Sequence, residues 1–122
     1  MTRAARVLIV EDDDGIRDLV DLVLSSAGYE ILTATDGAAA LQVVGTTHPD
    51  LVLLDMRMPV MDGWEFARRY RAGPEPHAPI VVMTAARDAA ERAAEIDANG
   101  YLGKPFDVAE LLALVGHLAN PT

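Results

Sequence analysis

Three short runs of uninterrupted apolar residues restrict the fold of this chain more than any other feature. They lie within the segments 7–10 (VLIV), 51–55 (LVLLD) and 80–84 (IVVMT), and each apolar run is followed directly by a polar residue. Runs of this length are short for helices, and they offer apolar side chains to both faces of a strand. Such strands are typical of a parallel sheet that is covered by helices on both sides.

The segments between these runs carry helix signals and two further strands. Apolar residues recur there at helical spacing, and Gly28 can end the first helix. We predict additional strands at 30–34 and 101–104, and a fourth helix that starts at Asp88 and ends near Gly100. The acids that can cap the helix N-termini are Asp13 or Asp14, Asp36, Asp88 and Asp107.

Five strand–helix units predict an α/β fold, namely a five-stranded parallel sheet of the flavodoxin-like, doubly wound (βα)5 type. We expect a single domain over residues 1–122, because the chain has an ordinary domain length and no repeat or linker. Two strand orders fit this pattern, the order 2-1-3-4-5 and the Rossmann order. Only the first makes strands 1 and 3 neighbours.

Polar residues at the strand ends favour the first order. Strand 1 ends at Glu11 and Asp12, strand 3 at Asp55, strand 4 at Thr84 and strand 5 at Lys104. In an open α/β sheet, sites lie beyond the carboxyl ends of the strands, where the strand order reverses. The order 2-1-3-4-5 brings these residues together there, and the Rossmann order keeps the acids apart.

Converging carboxylates repel one another, so at least one of them should have a raised pKa. A divalent cation relieves this repulsion. A cluster of Asp and Glu without His or Cys suits Mg²⁺ or Mn²⁺ rather than zinc. An Asp, a bound Mg²⁺, a lysine and a hydroxyl are together suited to the transfer of a phosphoryl group to a carboxylate.

Composition argues against several other classes of function. The formal charge is −9 and no basic patch is visible, so we expect no direct binding of nucleic acid or of an anionic membrane. The chain has no cysteine, which excludes disulfides and thiolate metal sites. It has neither an apolar run of membrane-spanning length nor a secretory signal, so we expect a cytoplasmic protein.

Four motifs resemble those of a known family over essentially the whole chain. The segments VLIVEDD, LVLLDMRMPVMDG, IVVMTA and GYLGKPF occur in this order, and together they resemble the receiver domain of bacterial two-component response regulators. The resemblance implies that Asp55 is a phosphoryl acceptor. The donor would be the phosphohistidine of a sensor histidine kinase or of a histidine phosphotransfer protein.

The resemblance also implies roles for the other motif residues. Asp12 would be a direct Mg²⁺ ligand, and Glu11 would hold the ion through water. The backbone carbonyl of Arg57 would contact the metal as well. Thr84 would move to bond a phosphoryl oxygen, and Lys104 would pair with the phosphoryl group.

Tyr101 resembles the aromatic residue through which the family signals. Phosphorylation adds charge and acceptor oxygens, which give Thr84 and Lys104 a new partner. Tyr101 would turn inward when Thr84 moves toward this partner. The readout surface would lie around Tyr101, and it would contact an output protein, a fused effector domain or a second copy in a phosphorylation-dependent homodimer. The Lys104–Pro105 bond would be cis.

Three features depart from the family pattern. The segment between Thr84 and Lys104 is short, so we expect a trimmed fourth helix or flanking loop. Arg57 places a bulky cation beside the acceptor, where side chains tune dephosphorylation in this family. No effector domain follows the last helix, so we expect a stand-alone receiver or a domain of a longer chain. We assign Trp64 to packing.

Three other functions match parts of the pattern. The main alternative is a pseudo-receiver, a protein-binding module that is not phosphorylated; such modules usually lose an acid, the Thr or the Lys, and this chain has them all. A phosphatase of the haloacid dehalogenase type carries a second acid two residues after its nucleophile, where Arg57 stands here. A nucleotide-binding module would need a Gly-rich turn in place of EDDDG.

Overall fold

A computed structural model describes residues 3–121 as five strands that alternate with five helices. The strands are β1 (Arg6–Val10), β2 (Glu30–Ala34), β3 (Leu51–Asp55), β4 (Ile80–Ala85) and β5 (Gly100–Lys104). The helices are α1 (Asp14–Ser26), α2 (Gly37–Thr46), α3 (Gly63–Ala72), α4 (Ala89–Glu95) and α5 (Val108–Leu118). Within residues 3–121, no helix has the length and hydropathy to cross a bilayer.

The strands form one parallel sheet in the order β2-β1-β3-β4-β5, which confirms the predicted order. Val10 of β1 pairs with Leu54 of β3, and Asp55 pairs with Met83 of β4. The C-terminal ends of these three central strands therefore lie side by side. The residues that follow them come out at the same edge of the sheet.

Alternate side chains of the central strands enter two separate cores. One core lies between the sheet and the face that carries α2, α3 and α4, and the other lies against α1 and α5. The first takes Leu8, Val10, Val52 and Leu54, and the second takes Val7, Ile9, Leu51 and Leu53. All eight are fully buried, and burial of each such side chain contributes about 1.5–3 kcal/mol. The strand ends are therefore a rigid platform.

Acid caps set the start of four helices. The side chains of Asp13, Asp36, Asp62 and Asp107 each accept a hydrogen bond from the backbone N–H three residues later. Asp88 occupies the same position before α4 but makes no such bond. The Lys104–Pro105 peptide bond is cis, as predicted.

The prediction that the fourth helix ends near Gly100 was wrong. Helix α4 spans seven residues and ends at Glu95. Asp97 adopts a left-handed conformation with φ of 53°, and the N–H of Ala98 bonds back to the carbonyl of Ala93. The chain turns there so that Asn99 can exchange hydrogen bonds with Ile80 at the start of β4.

Candidate functional site

Three carboxylates meet at the C-terminal edge of the sheet. Glu11 and Asp12 follow β1 directly, and Asp55 is the last residue of β3. Each offers an oxygen that lies within 4.8 Å of the other two. Glu11 is 1 % exposed and Asp55 is 6 % exposed, whereas Asp12 is open to solvent. The predicted convergence of these acids is confirmed.

The environment of Asp55 disfavours its ionised form. Burial is the largest cause, and the nearby charge of Glu11 and a hydrogen bond to it act in the same direction, so the pKa of Asp55 is raised from 3.8 to about 7. Lys104 opposes this shift without cancelling it. Without an added cation, the Asp55 carboxyl therefore holds a proton for much of the time at neutral pH.

Lys104 is the only lysine of the chain, and it supplies the cation of this site. As the last residue of β5, it places its Nζ 2.6 Å from Oε1 of Glu11 and 3.6 Å from Oδ1 of Asp55. Gly103 allows this placement, because a Cβ there would lie 2.6 Å from the Cα of Ala86 in the loop after β4. The lysine neutralises Glu11 first and is within reach of Asp55.

Thr84 and Tyr101 occupy different surroundings. Thr84 is buried and follows Met83, the β4 partner of Asp55, so its hydroxyl is carried at the same edge of the sheet. Tyr101 is 51 % exposed and pairs with Val82, two residues before Thr84. The ring of Tyr101 therefore lies largely in solvent, outside the acid cluster.

Arg57 and Trp64 flank the site on the side of the β3–α3 loop. Together with Asp12, Met58, Pro59 and Asp62 they line an open cavity of about 370 Å³. The guanidinium carbon of Arg57 lies 5.7 Å from the centre of the Trp64 ring, a cation–π distance. The indole Nε1 of Trp64 donates a 2.9 Å hydrogen bond to Glu95 of α4. Trp64, assigned to packing from the sequence, thus lies at the opening of the site.

Sequence reasoning also missed Arg17 on α1. Its Nη1 donates to the backbone carbonyl of Glu11 at 3.0 Å, and its Nη2 donates to Oδ1 of Asp14 at 2.6 Å. The available signal is that Arg17 is the first cation after four consecutive acids, one helical turn beyond the last of them.

Comparison with known proteins identifies the family. The protein-family model described as the response regulator receiver domain matches residues 7–116. The chain belongs to this family. The receiver domain is 40 % identical over 121 residues to the response regulator MprA of Mycobacterium tuberculosis, a match that covers 98 % of this chain and 52 % of that protein. The chain spans about half the length of the curated relatives it matches.

Solved structures share the fold of this receiver domain. The chemotaxis response regulator CheY4 of Vibrio cholerae superposes with a TM-score of 0.85 and 34 % identity, over 94 % of this chain and 98 % of that one. The receiver domain of the sensor histidine kinase PA1611 from Pseudomonas aeruginosa superposes with a TM-score of 0.87 and 30 % identity, over 95 % and 98 % of the two chains. The latter structure has a magnesium ion coordinated in its active site cleft.

Proposed function

We propose that this receiver domain is a phospho-acceptor switch of a two-component system, in which Asp55 accepts a phosphoryl group from a phosphohistidine in a Mg²⁺-dependent reaction. The observation that carries the proposal is the convergence of Glu11, Asp12, Asp55 and Lys104 in a member of this family. Receiver domains are signalling proteins rather than enzymes with an outside substrate. The chain would catalyse only its own phosphorylation and slow dephosphorylation.

The donor set fits Mg²⁺. The cluster consists of oxygen ligands only, and two of its acids are buried. Lys104 pairs with only two of the three carboxylates, which leaves an excess of negative charge. Asp12 and Asp55 would bind the ion directly, Glu11 would bind it through water, and the carbonyl of Arg57 would complete the protein ligands. Mn²⁺ shares these preferences. The bound cation supplies positive charge that stabilises ionised Asp55 and an incoming phosphoryl group.

The transfer itself exchanges one bond to phosphorus for another. An oxygen of ionised Asp55 attacks the phosphorus, the P–N bond of the phosphohistidine breaks, and the imidazole leaves with the bonding electrons and takes up a proton. Nζ of Lys104 lies 3.6 Å from Asp55, so a small movement away from Glu11 lets it pair with the phosphoryl oxygens. Thr84, at the same sheet edge, is the hydroxyl that would bond the phosphoryl group.

Tyr101 would pass the change to a partner. Its ring is half exposed before phosphorylation, so an inward turn that follows Thr84 would remove an aromatic side chain from the surface. The partners would be a histidine kinase or phosphotransfer protein upstream and an output protein or fused effector domain downstream, with a phosphorylation-dependent homodimer as one form of output. Residues 1–122 would act as a single receiver domain in the cytoplasm.

The test is intact-protein mass spectrometry after incubation with acetyl phosphate and, separately, with phosphoramidate, which offers a P–N bond. The wild-type protein is compared with Asp55→Asn and with Asp50→Asn, a control at another buried aspartate beside the same strand. We expect one phosphoryl adduct that requires Mg²⁺ and Asp55 and survives in Asp50→Asn. An adduct that persists in Asp55→Asn means another acceptor, and no adduct from either donor favours the pseudo-receiver.

A further inference from the structure

A single arginine joins the two ends of the loop that carries the metal-binding acids. We call residues 11–14, with the sequence EDDD, the acid loop; its last residue, Asp14, is also the first residue of α1. Arg17 lies at the end of the first turn of α1, and its side chain is 16 % exposed. One arm of its guanidinium holds the carbonyl of Glu11 at 3.0 Å, and the other holds the carboxylate of Asp14 at 2.6 Å.

We infer that Arg17 is a positioning residue, which fixes the backbone of the acid loop so that Glu11 and Asp12 face Asp55 and thereby sets the affinity of the site for Mg²⁺. This inference rests on the proposed function, because it concerns the same metal site. Arg17 acts through the loop and is not itself a ligand of the metal.

The contacts of Glu11 show why the arginine matters. The N–H of Glu11 bonds to the carbonyl of Ala34 on β2, and its carboxylate bonds to Lys104 and to the N–H of Asp13. The Glu11 carbonyl is held by Arg17. That carbonyl belongs to the peptide unit that leads into Asp12, the exposed member of the cluster. Loss of the bond between Arg17 and the Glu11 carbonyl frees this peptide unit to rotate. The Asp12 side chain would then no longer be held in one direction.

The charge of Arg17 and its positioning role predict opposite effects on Mg²⁺ affinity when the side chain is removed. This makes the role of Arg17 testable. An unpaired cation beside a metal site repels Mg²⁺, so its removal should tighten binding. Arg17 is paired with Asp14 at 2.6 Å, and the pair carries no net charge toward the site. The positional effect therefore dominates, and removal of Arg17 weakens the binding of Mg²⁺.

The shape of the side chain matters as well as its charge. Arginine presents two nitrogens in a planar fork, so one side chain reaches the Glu11 carbonyl and Asp14 at once. A lysine at this position has one nitrogen and holds one of the two acceptors at a time. Arg17→Lys should therefore recover only part of the affinity that Arg17→Ala loses.

The experiment is an NMR titration of each full chain with Mg²⁺ that follows the backbone amides of Asp12 and Asp55. It is combined with amide hydrogen exchange of Asp13 without metal, since the Asp13 N–H bonds to the Glu11 carboxylate at 3.3 Å. The matched control is Arg68→Ala, since Arg68 pairs with Glu65 at the same three-residue helical spacing on α3 and has its side-chain hydrogen bonds there. Thermal melts verify that each variant is folded.

We expect Arg17→Ala to weaken Mg²⁺ binding about tenfold, the lower end of losses at residues that orient metal ligands. The Mg²⁺ affinity of Arg17→Lys should lie between those of Arg17→Ala and wild type, and that of Arg68→Ala should match wild type. The Asp13 amide should exchange faster in Arg17→Ala than in wild type. Unchanged or tighter Mg²⁺ binding in a folded Arg17→Ala overturns the inference, as does an equal loss in Arg68→Ala. If wild type binds no Mg²⁺, the proposed function fails. Unchanged Asp13 exchange in Arg17→Ala refutes the positioning role on its own.

Discussion

Two buried aspartates at the opposite ends of β3 differ in almost everything except their burial. Asp50 precedes the strand and is 7 % exposed, and Asp55 ends it and is 6 % exposed. Burial alone raises the pKa of both. Hydrogen bonds from Arg3 and from the Arg6 N–H outweigh burial at Asp50 and lower its pKa, whereas burial and Glu11 raise the pKa of Asp55 to about 7.

The partners explain this difference. Both oxygens of Asp50 are satisfied, because the guanidinium of Arg3 donates to them at 2.8 Å and 3.0 Å and the Arg6 N–H adds a bond of 2.8 Å. Asp55 instead faces two acids and a lysine that is bonded more closely to Glu11. The N-terminal edge of the sheet is neutralised by the protein's own donors. The C-terminal edge retains negative charge that an added cation can neutralise.

The largest expected effect is a gain of stability on replacing Asp55. In metal-free buffer at pH 8, Asp55→Asn should raise the free energy of unfolding by about 2–3 kcal/mol, because it removes a carboxylate whose ionisation the fold disfavours. Urea denaturation in the presence of EDTA measures this. We expect Mg²⁺ to stabilise the wild type and to stabilise Asp55→Asn less. A loss of metal-free stability in Asp55→Asn would show that the fold does not disfavour the ionised carboxylate.

The pH dependence of stability separates the two residues in the metal-free protein. The folded-state pKa of Asp55 lies above its ordinary value of 3.8, so the folded protein binds more protons than the unfolded protein between about pH 4 and pH 7. The contribution of Asp55 to the free energy of unfolding therefore falls as pH rises through this window and levels off above it. The lowered pKa of Asp50 gives a contribution that is present above its ordinary value and is lost in more acidic solution. Urea midpoints across this range should fall less steeply in Asp55→Asn than in wild type; parallel profiles would refute the assignment.

Replacement of Lys104 tests how far the lysine neutralises Glu11 and Asp55 in the metal-free protein. Lys104→Met removes the charge-assisted hydrogen bond to buried Glu11, so we expect a loss of about 2 kcal/mol in metal-free buffer. The pKa of Asp55 should rise further, because Lys104 lowers it in the wild-type protein. Since Lys104 is bonded to Glu11, which would otherwise be available to the metal, removal of the lysine should also tighten Mg²⁺ binding. Calorimetry can measure this. Lower stability together with weaker Mg²⁺ binding would show that the lysine does not compete with the ion.

A smaller effect is expected at the other end of the strand. Asp50→Asn should lower the free energy of unfolding by about 1 kcal/mol, since it replaces charge-assisted hydrogen bonds by neutral ones. Arg3→Gln should cost less, because the Arg6 N–H still bonds to Asp50. Phosphorylation of Asp55 should be unchanged in both variants. Chemical denaturation and the phosphorylation assay check these outcomes, and a stabilising Asp50→Asn would remove the contrast between the two aspartates.

Much of the fold and of the acid cluster could be predicted from local sequence. Apolar runs identify strands that are buried on both faces, and parallel strands end at one edge, so the residues after 7–10 and 51–54 had to converge if those strands were neighbours. The early end of α4 was missed, since an alanine-rich helix gives no apolar face and the left-handed turn at Asp97 has no local signal beyond the tolerance of Asp for it.

The sequence did not predict which distant side chains bond to one another. The Arg3–Asp50 pair joins residues 47 positions apart, and the Lys104–Glu11 bond joins residues 93 positions apart. The resemblance assigned Lys104 to the phosphoryl group and gave no partner for it before phosphorylation. The role of Arg17 depends on the direction of a side chain along a helix, which the residue pattern does not fix.

Asp55 differs from Asp50 in a negative charge that an added cation, rather than the protein's own donors, would neutralise. The most direct measurement is a carboxyl-carbon NMR titration of Asp50 and Asp55, with and without Mg²⁺. We predict a midpoint for Asp55 near 7 without metal, a large downward shift with Mg²⁺, and a midpoint for Asp50 below 3.8 under both conditions. A midpoint for Asp55 near 3.8 that Mg²⁺ does not change would mean that Asp55 is an ordinary carboxylate that binds no metal.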